Sequence, residues 1–325
     1  NITTNVFGMR AHQLSYFSEA SYVMKRGRHD LVGGINLNGE RFRKLLPDSS
    51  SVDEYSHFTF GAFVQDDWRI RPNLTLETGL RNDLHNVYGN FLLPRVSVLY
   101  KINSNLTSRF GAGMGYKVPT VFSDDVDERY YNNLHLDAYA KAERSTGVNA
   151  DINFKKKFSA TTFAVNQSFF YTRINHPLVI STTAPGLVYY YTASKPVTTR
   201  GFETWVQVNH NKFEAYLGYT LTDARKTYDP AQPHVELSAH NKFASVIAYD
   251  FTSNFSGVVE AAYTGRQYLE DGSRSPGYPF IAFMVKYEVG RCTFVLNCEN
   301  LLDYRQTKKE SIIILPTTNP AFKQL

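Results

Sequence analysis

Between Phe58 and Tyr116 apolar and polar residues alternate with a period of two, and that periodicity commits the region to β-structure. Leu74, Leu76, Thr78, Leu80 and Leu84 fall on one parity, and Thr75, Glu77, Gly79, Arg81, Asp83 and His85 on the other. Just upstream, Phe58, Phe60, Ala62, Val64, Trp68 and Ile70 oppose Thr59, Gly61, Gln65, Asp67 and Arg69, with Phe63 and Asp66 out of pattern. Such strands have one greasy face and one polar face. In a soluble sandwich the polar face meets solvent. In a transmembrane barrel the greasy face meets lipid and the polar face lines a wet interior.

The same alternation recurs along the chain and gives about fourteen strands. Short turns at Gly27, Pro72, Ser104, Lys157, Asn211, Ser253 and Gly290 alternate with longer connections at 44–56, 117–142, 180–186, 227–239, 270–277 and after 305. Only the break at Tyr88–Asn90 is short where a long one is due. Segregation of short and long connections onto opposite ends is the habit of an outer-membrane barrel, and a sandwich has no reason for it. Strands of roughly 12 to 20 residues also exceed the ~5–6 usual in soluble sheets. Three turns share a pattern, Pro72-Asn73-Leu74-Thr75, Ser104-Asn105-Leu106-Thr107 and Ser253-Asn254-Phe255-Ser256, which assigns Asn the tight turn and makes glycosylation at these Asn-x-Ser/Thr sites unnecessary.

Composition narrows the class further. The chain has 22 Tyr and 23 Phe but 2 Trp and 2 Cys, and its mean hydropathy is −0.34. The longest apolar run, Ile312 to Leu315, is far short of the ~20 residues of a membrane helix, which excludes a helical membrane protein and leaves a barrel open. A net charge of +5 with only one basic run, Lys155 to Lys157, placed in a turn, does not describe a nucleic-acid binder. Cys292 and Cys298 lie six residues apart on one strand, roughly 20 Å at ~3.3 Å per residue, beyond disulfide reach. The chain opens at Asn1 with no signal peptide, as an excised portion of a longer protein would.

Several motifs then resemble the TonB-dependent outer-membrane receptors, in particular the siderophore, haem and vitamin receptors. Phe63-Val64-Gln65-Asp66-Asp67-Trp68 with Asn73-Leu74-Thr75-Leu76 and Gly79-Leu80-Arg81 is similar to the family's barrel signature. Gly115-Tyr116-Lys117-Val118-Pro119-Thr120 resembles its aromatic-Arg-x-Pro box, with Lys in place of Arg. Ala142 to Gly147, Thr199 to Glu203 and Glu299 to Asp303 match three further stations in the right order. The resemblance implies an all-β fold, an antiparallel transmembrane barrel of roughly 22 strands of which residues 1–325 would form one partial domain, strands 8 to 21. The plug domain and closing strand would lie outside this sequence, and with them the segment that binds TonB. It further implies residence in the outer membrane of a Gram-negative bacterium and active uptake of a scarce chelate. The partners would be membrane lipid, TonB, a small-molecule or chelate ligand and, in some members, a surface lipoprotein. No cofactor of the protein's own is expected; iron, haem or cobalt would belong to the cargo.

No enzyme motif is found: His-Glu-x-x-His, a nucleophile elbow and Cys/His metal spacing are all missing from the sequence. Gly111-x-Gly113-x-Gly115 lacks the Lys-Ser/Thr of a phosphate loop, so these glycines are read as making room on the polar face. Glu77, Arg81, Asp83, Arg95, Arg109 and Glu214 are expected on that interior face, solvated or paired with a plug. Ligand contacts are expected at the outer rim, from Tyr116, Lys117, Tyr130, Tyr131, His135, Tyr190 and His234, where rings stack on flat ligands and Lys117 meets an anionic one. By resemblance His135 falls where haem receptors place an axial ligand. The rival functions are a passive porin, an enzyme carried on a barrel, and a soluble carbohydrate-binding sandwich.

Overall fold

A computed structural model describes residues 11–45, 52–120, 122, 134–184, 187–269 and 271–305. They form β-strands joined by turns and loops. In chain order the strands are β1 (Ala11–Arg26), β2 (His29–Lys44), β3 (Tyr55–Arg71), β4 (Leu74–His85), β5 (Gly89–Lys101), β6 (Leu106–Lys117), β7 (Leu134–Leu136), β8 (Glu143–Phe158), β9 (Thr161–Asn175), β10 (Leu178–Ala184), β11 (Leu187–Thr192), β12 (Val197–His210), β13 (Phe213–Lys226), β14 (Asn241–Asp250), β15 (Phe255–Thr264), β16 (Tyr278–Val289) and β17 (Cys292–Cys298). Fourteen of them make one sheet in which every strand follows its predecessor in the chain once β7, β10 and β11 are set aside. Those three form a separate small sheet in the order β10-β11-β7.

By compactness the chain separates into two units, Asn1–Ile152 with Phe169–Arg200 and Arg225–Pro233, and Asn153–Ser168 with Gly201–Ala224 and His234–Leu325. In the first, antiparallel register aligns Trp68, Leu76, Val98 and Phe110 in one row across β3 to β6. The opposite face aligns Asn36, Gly61, Asp83 and Phe91. The greasy face is the open one: Val64 is 53%, Leu80 45% and Leu84 51% exposed, while Asp83 is 2% and His85 6%. Burial is thus inverted relative to a water-soluble sheet, which hides its apolar side. The second unit repeats this on its own, with Leu217, Ile247 and Val259 exposed on the apolar face of β13 to β15. A wall of this kind needs lipid on its outside.

The two-residue hairpins at Gly27-Arg28 and Gly290-Arg291 each place glycine at positive φ, 61° and 58°, where a side chain would be strained. The Ser-Asn turns close differently from the expectation. None of Asn73, Asn105 or Asn254 has positive φ. The Asn103 side chain accepts from the amides of Asn105 and Leu106 (2.8 and 3.0 Å), and Thr252 does the same for Asn254 and Phe255 (3.3 and 3.0 Å). A short side chain two residues before the repeated Asn satisfies the turn, so that Asn need not adopt left-handed backbone.

Four strand boundaries also differ from the periodicity, which gives single strands over Ser159 to Val179, Leu187 to Asn209 and Cys292 to Arg305 and a turn at Lys156-Lys157. The stretch from Leu187 to Asn209 is two strands interrupted at Ala193–Pro196, because Pro196 has no amide to offer a ladder. The strand after Ser159 breaks at His176 (φ 57°) and Pro177. The basic triplet Lys155 to Lys157 stays within β8 and the turn falls at Ser159 (φ 51°). The strand that begins at Cys292 stops at Cys298, and both cysteines are free.

Candidate functional site

β2, β3, β4 and β6 carry the polar face of the first unit toward the end where the long connections lie, and the candidate site is built there. Glu40 on β2 stands opposite His57 on β3, and Phe42 opposite Tyr55. The Tyr55 hydroxyl donates to Glu40, as does Gln13 Nε2 at 2.9 Å. Rings continue from there: Tyr55 to His57 at 4.8 Å between centroids, His57 to His85 at 5.1 Å, His57 to Tyr88 at 5.8 Å and His85 to Tyr88 at 5.2 Å. His85 Nδ1 accepts from the amides of Val87 and Tyr88 (3.1 and 3.2 Å), which places its proton on Nε2. The three-residue connection Asn86–Tyr88 is held against β3 by Asn86, which accepts from the Phe58 amide and donates to the Ser56 carbonyl, both at 2.9 Å. Burial pushes the Tyr88 hydroxyl above its ordinary pKa, so it stays a neutral donor.

These groups border a cavity of about 150 Å³. Its apolar wall comes from Val52, Val118, Pro119, Leu134 and Leu136, and its polar wall from Glu40, Asp53, Tyr55, His57 and Tyr88. Val118 and Pro119 belong to the box recognised in the sequence, and that motif here supplies a wall of the cavity. Leu134, Val188 and Tyr190 pack with Phe42 and Val52 in a small buried core, which seats the β10-β11-β7 sheet beside the site. Tyr189 pairs with His135 in parallel, an arrangement that joins two distant connections.

Below the cavity on the same face lies a second polar cluster. Asp83 accepts from Arg81 Nε at 2.7 Å and from the Tyr116 hydroxyl at 2.9 Å, and Arg81 also donates to Asn36 at 3.2 Å. A Cβ at Gly61 would collide with the side-chain oxygens of Asn36 and Asp83, so the cluster closes only over glycine. Tyr116 stacks on buried Phe91 at 3.8 Å, and the Arg144 guanidinium lies over that ring at 4.8 Å while donating to the Asn90 carbonyl at 3.1 Å. The room beside Gly111 is taken by Asn149 and that beside Gly115 by Ser145.

The family model described as TonB dependent receptor-like, beta-barrel matches residues 2–301. The chain belongs to that family. Among solved structures it is similar to the siderophore receptor PirA from Pseudomonas aeruginosa, with 16% identity, a TM-score of 0.71 and coverage of 91% of this chain and 53% of that one. It is similar to the ferric enterobactin receptor PfeA of the same organism, in an R480A mutant complexed with enterobactin, at 14% identity and TM-score 0.71, covering 91% and 49%. The FrpB iron transporter from Neisseria meningitidis gives 14% identity and TM-score 0.73, covering 90% and 51%. At these identities the likeness is one of fold, and the chain spans about half the length of the structures it matches. Among curated proteins none matches the sequence significantly. The TonB-dependent receptor barrel is an outer-membrane transport fold, and neither the family nor these structures are enzymes.

Within the TonB-dependent barrel the expected ligand residues are dispersed. Tyr116 is engaged with Asp83 and Phe91, and Lys117 is exposed at the end of β6 beside the cavity. His135 is exposed between Leu134 and Leu136, and Tyr190 is 2% exposed inside the small core. His234 belongs to the second unit, where it stacks on Tyr268 at 4.1 Å. Tyr130 and Tyr131 lie outside the described residues. Of the interior charges, Glu77 pairs with Arg95, Arg81 with Asp83, Glu214 accepts from Tyr216, and Arg109 is exposed. Glu40, His57, His85 and Tyr88 were not singled out by the sequence. The early Tyr88 break was their one visible signal, since it brings the β4–β5 connection down to the level of His57.

Proposed function

We propose that this chain is the barrel portion of a receptor that takes up an iron-chelate-type ligand across the outer membrane of a Gram-negative bacterium, driven by TonB. The supporting observation is the polar-face cavity at the end of the wall where the family carries its long extracellular connections, in a wall whose outside is apolar. Aromatic and hydrogen-bonding groups converge there on a partly apolar pocket, the composition of a small-molecule site. Membrane lipid and TonB are the partners of this reading, and any metal travels with the ligand. A passive pore would need no such pocket.

The test is transport of iron-55 chelates by cells carrying or lacking the full-length gene, each with and without TonB. Uptake that requires both supports the reading. Uptake that persists without TonB would make the protein a pore, and growth or transport indifferent to the gene for iron chelates, haem and corrinoids alike would remove the uptake function.

A further inference from the structure

We propose that the cavity beside Glu40 is a subsite for an organic ammonium group, the pendant amine of a ligand. This deepens the uptake reading and rests on it for the ligand's identity as a chelate. Size decides first what enters. At about 150 Å³ the cavity is well below the ~300–1,000 Å³ of pockets that enclose drug-sized molecules. A short alkyl amine fits, and a whole metal chelate does not.

Charge decides next. Glu40 and, at the exposed edge, Asp53 supply two carboxylates, and no Lys or Arg is among the described lining residues. The described groups bonded to Glu40, the Tyr55 hydroxyl and the Gln13 amide, are neutral donors that bring no positive charge to it. An anionic group, such as a carboxylate or a free catecholate, would meet repulsion here. The walls agree: the rings of Tyr55, His57 and Tyr88 offer the aromatic surface that attracts ammonium ions, and Val52, Val118, Pro119 and Leu136 accept the methylenes behind one. A bare metal ion is a poorer occupant, since no group of three or more His, Cys, Asp or Glu able to hold one occurs among the described residues.

The experiment titrates the full-length receptor in detergent with n-butylammonium, n-butanol and butyrate by calorimetry, and repeats the first with Glu40→Gln and Asp53→Asn. We expect saturable one-to-one binding of butylammonium, about tenfold weaker binding of butanol, none of butyrate, and about a tenfold loss in Glu40→Gln, each tenfold corresponding to ~1.4 kcal/mol. Asp53, being exposed, gives a variant in which loss of binding cannot be put down to misfolding, and circular dichroism checks both. Equal affinity for butanol, binding of butyrate, or unchanged binding in both variants overturns the subsite. A second arm measures cellular uptake of one ferric hydroxamate with a free amine tail and the same chelate with that amine acetylated. Preference for the free amine supports the subsite; equal uptake of the two overturns it while the uptake function stands. Butylammonium binding without uptake of either chelate keeps the subsite and removes the uptake function for this ligand class.

Discussion

The hydroxyl of Tyr116 donates to Asp83 at 2.9 Å, across two strands that are not neighbours in the sheet, and fixes a carboxylate that is 2% exposed. Arg81 Nε donates to its other oxygen at 2.7 Å. Hydrogen bonds to a charged group contribute roughly 1.5–3 kcal/mol. Tyr116→Phe should therefore lower the stability of the folded barrel in lipid by about 2 kcal/mol, measured by urea unfolding in vesicles. Asp83→Ala leaves Arg81 facing the gap and should cost about 3 kcal/mol or more. A double-mutant cycle returning no coupling between the two positions would contradict the geometry.

Phe91 is 1% exposed between Tyr116 and Arg144. Phe91→Ala should cost roughly 3–5 kcal/mol, in line with large-to-small changes at buried aromatics. Phe91→Leu, which keeps much of the apolar volume and loses the ring, should fall between that variant and the parent in the same unfolding assay.

The exposed apolar face makes a prediction that separates lipid from water. Leu80→Arg should destabilise the barrel in vesicles by about 2–4 kcal/mol if that position lies near the bilayer midplane. In a water-facing wall a surface substitution stays within about 0.5 kcal/mol, and such a value would refute the assigned sidedness.

At Gly27 and Gly290 nothing lies within 4 Å of a built Cβ, so the cost of a side chain there is backbone strain alone. Gly27→Ala and Gly290→Ala should each destabilise by about 1 kcal/mol, from the left-handed penalty of roughly 1–2 kcal/mol per residue. The two turns are distant in sequence and neither built Cβ has a neighbour within 4 Å, so the double variant should show the sum. Marked non-additivity in thermal or urea unfolding would count against independent hairpins.

The wall was readable because each of its strands encodes its own two faces: Leu80 and Asp83 differ in environment as their parities say, with no knowledge of a partner strand. The short turns were readable for the same local reason, although the residue that closes them, Asn103 or Thr252, was misassigned by two positions. The small sheet was not readable. Its parallel pairing of Tyr189 with His135 spans distant connections, and three-residue β7 is too short to show a period. The pocket was hidden for a related reason. Glu40, His57 and His85 meet only through the registers of β2, β3 and β4, and Asn86 must hold the short connection before Tyr88 can reach them.

Because β7, β10 and β11 stand outside the strand order of the main sheet, whatever is grafted between Lys117 and Glu143, or between Asn175 and Val197, shifts no rung of the wall. Only the seat has to be kept, which in this chain is Phe42 with Val52 and the ring of Tyr55 packed against them. Variation in these two connections is thereby uncoupled from the register of the wall.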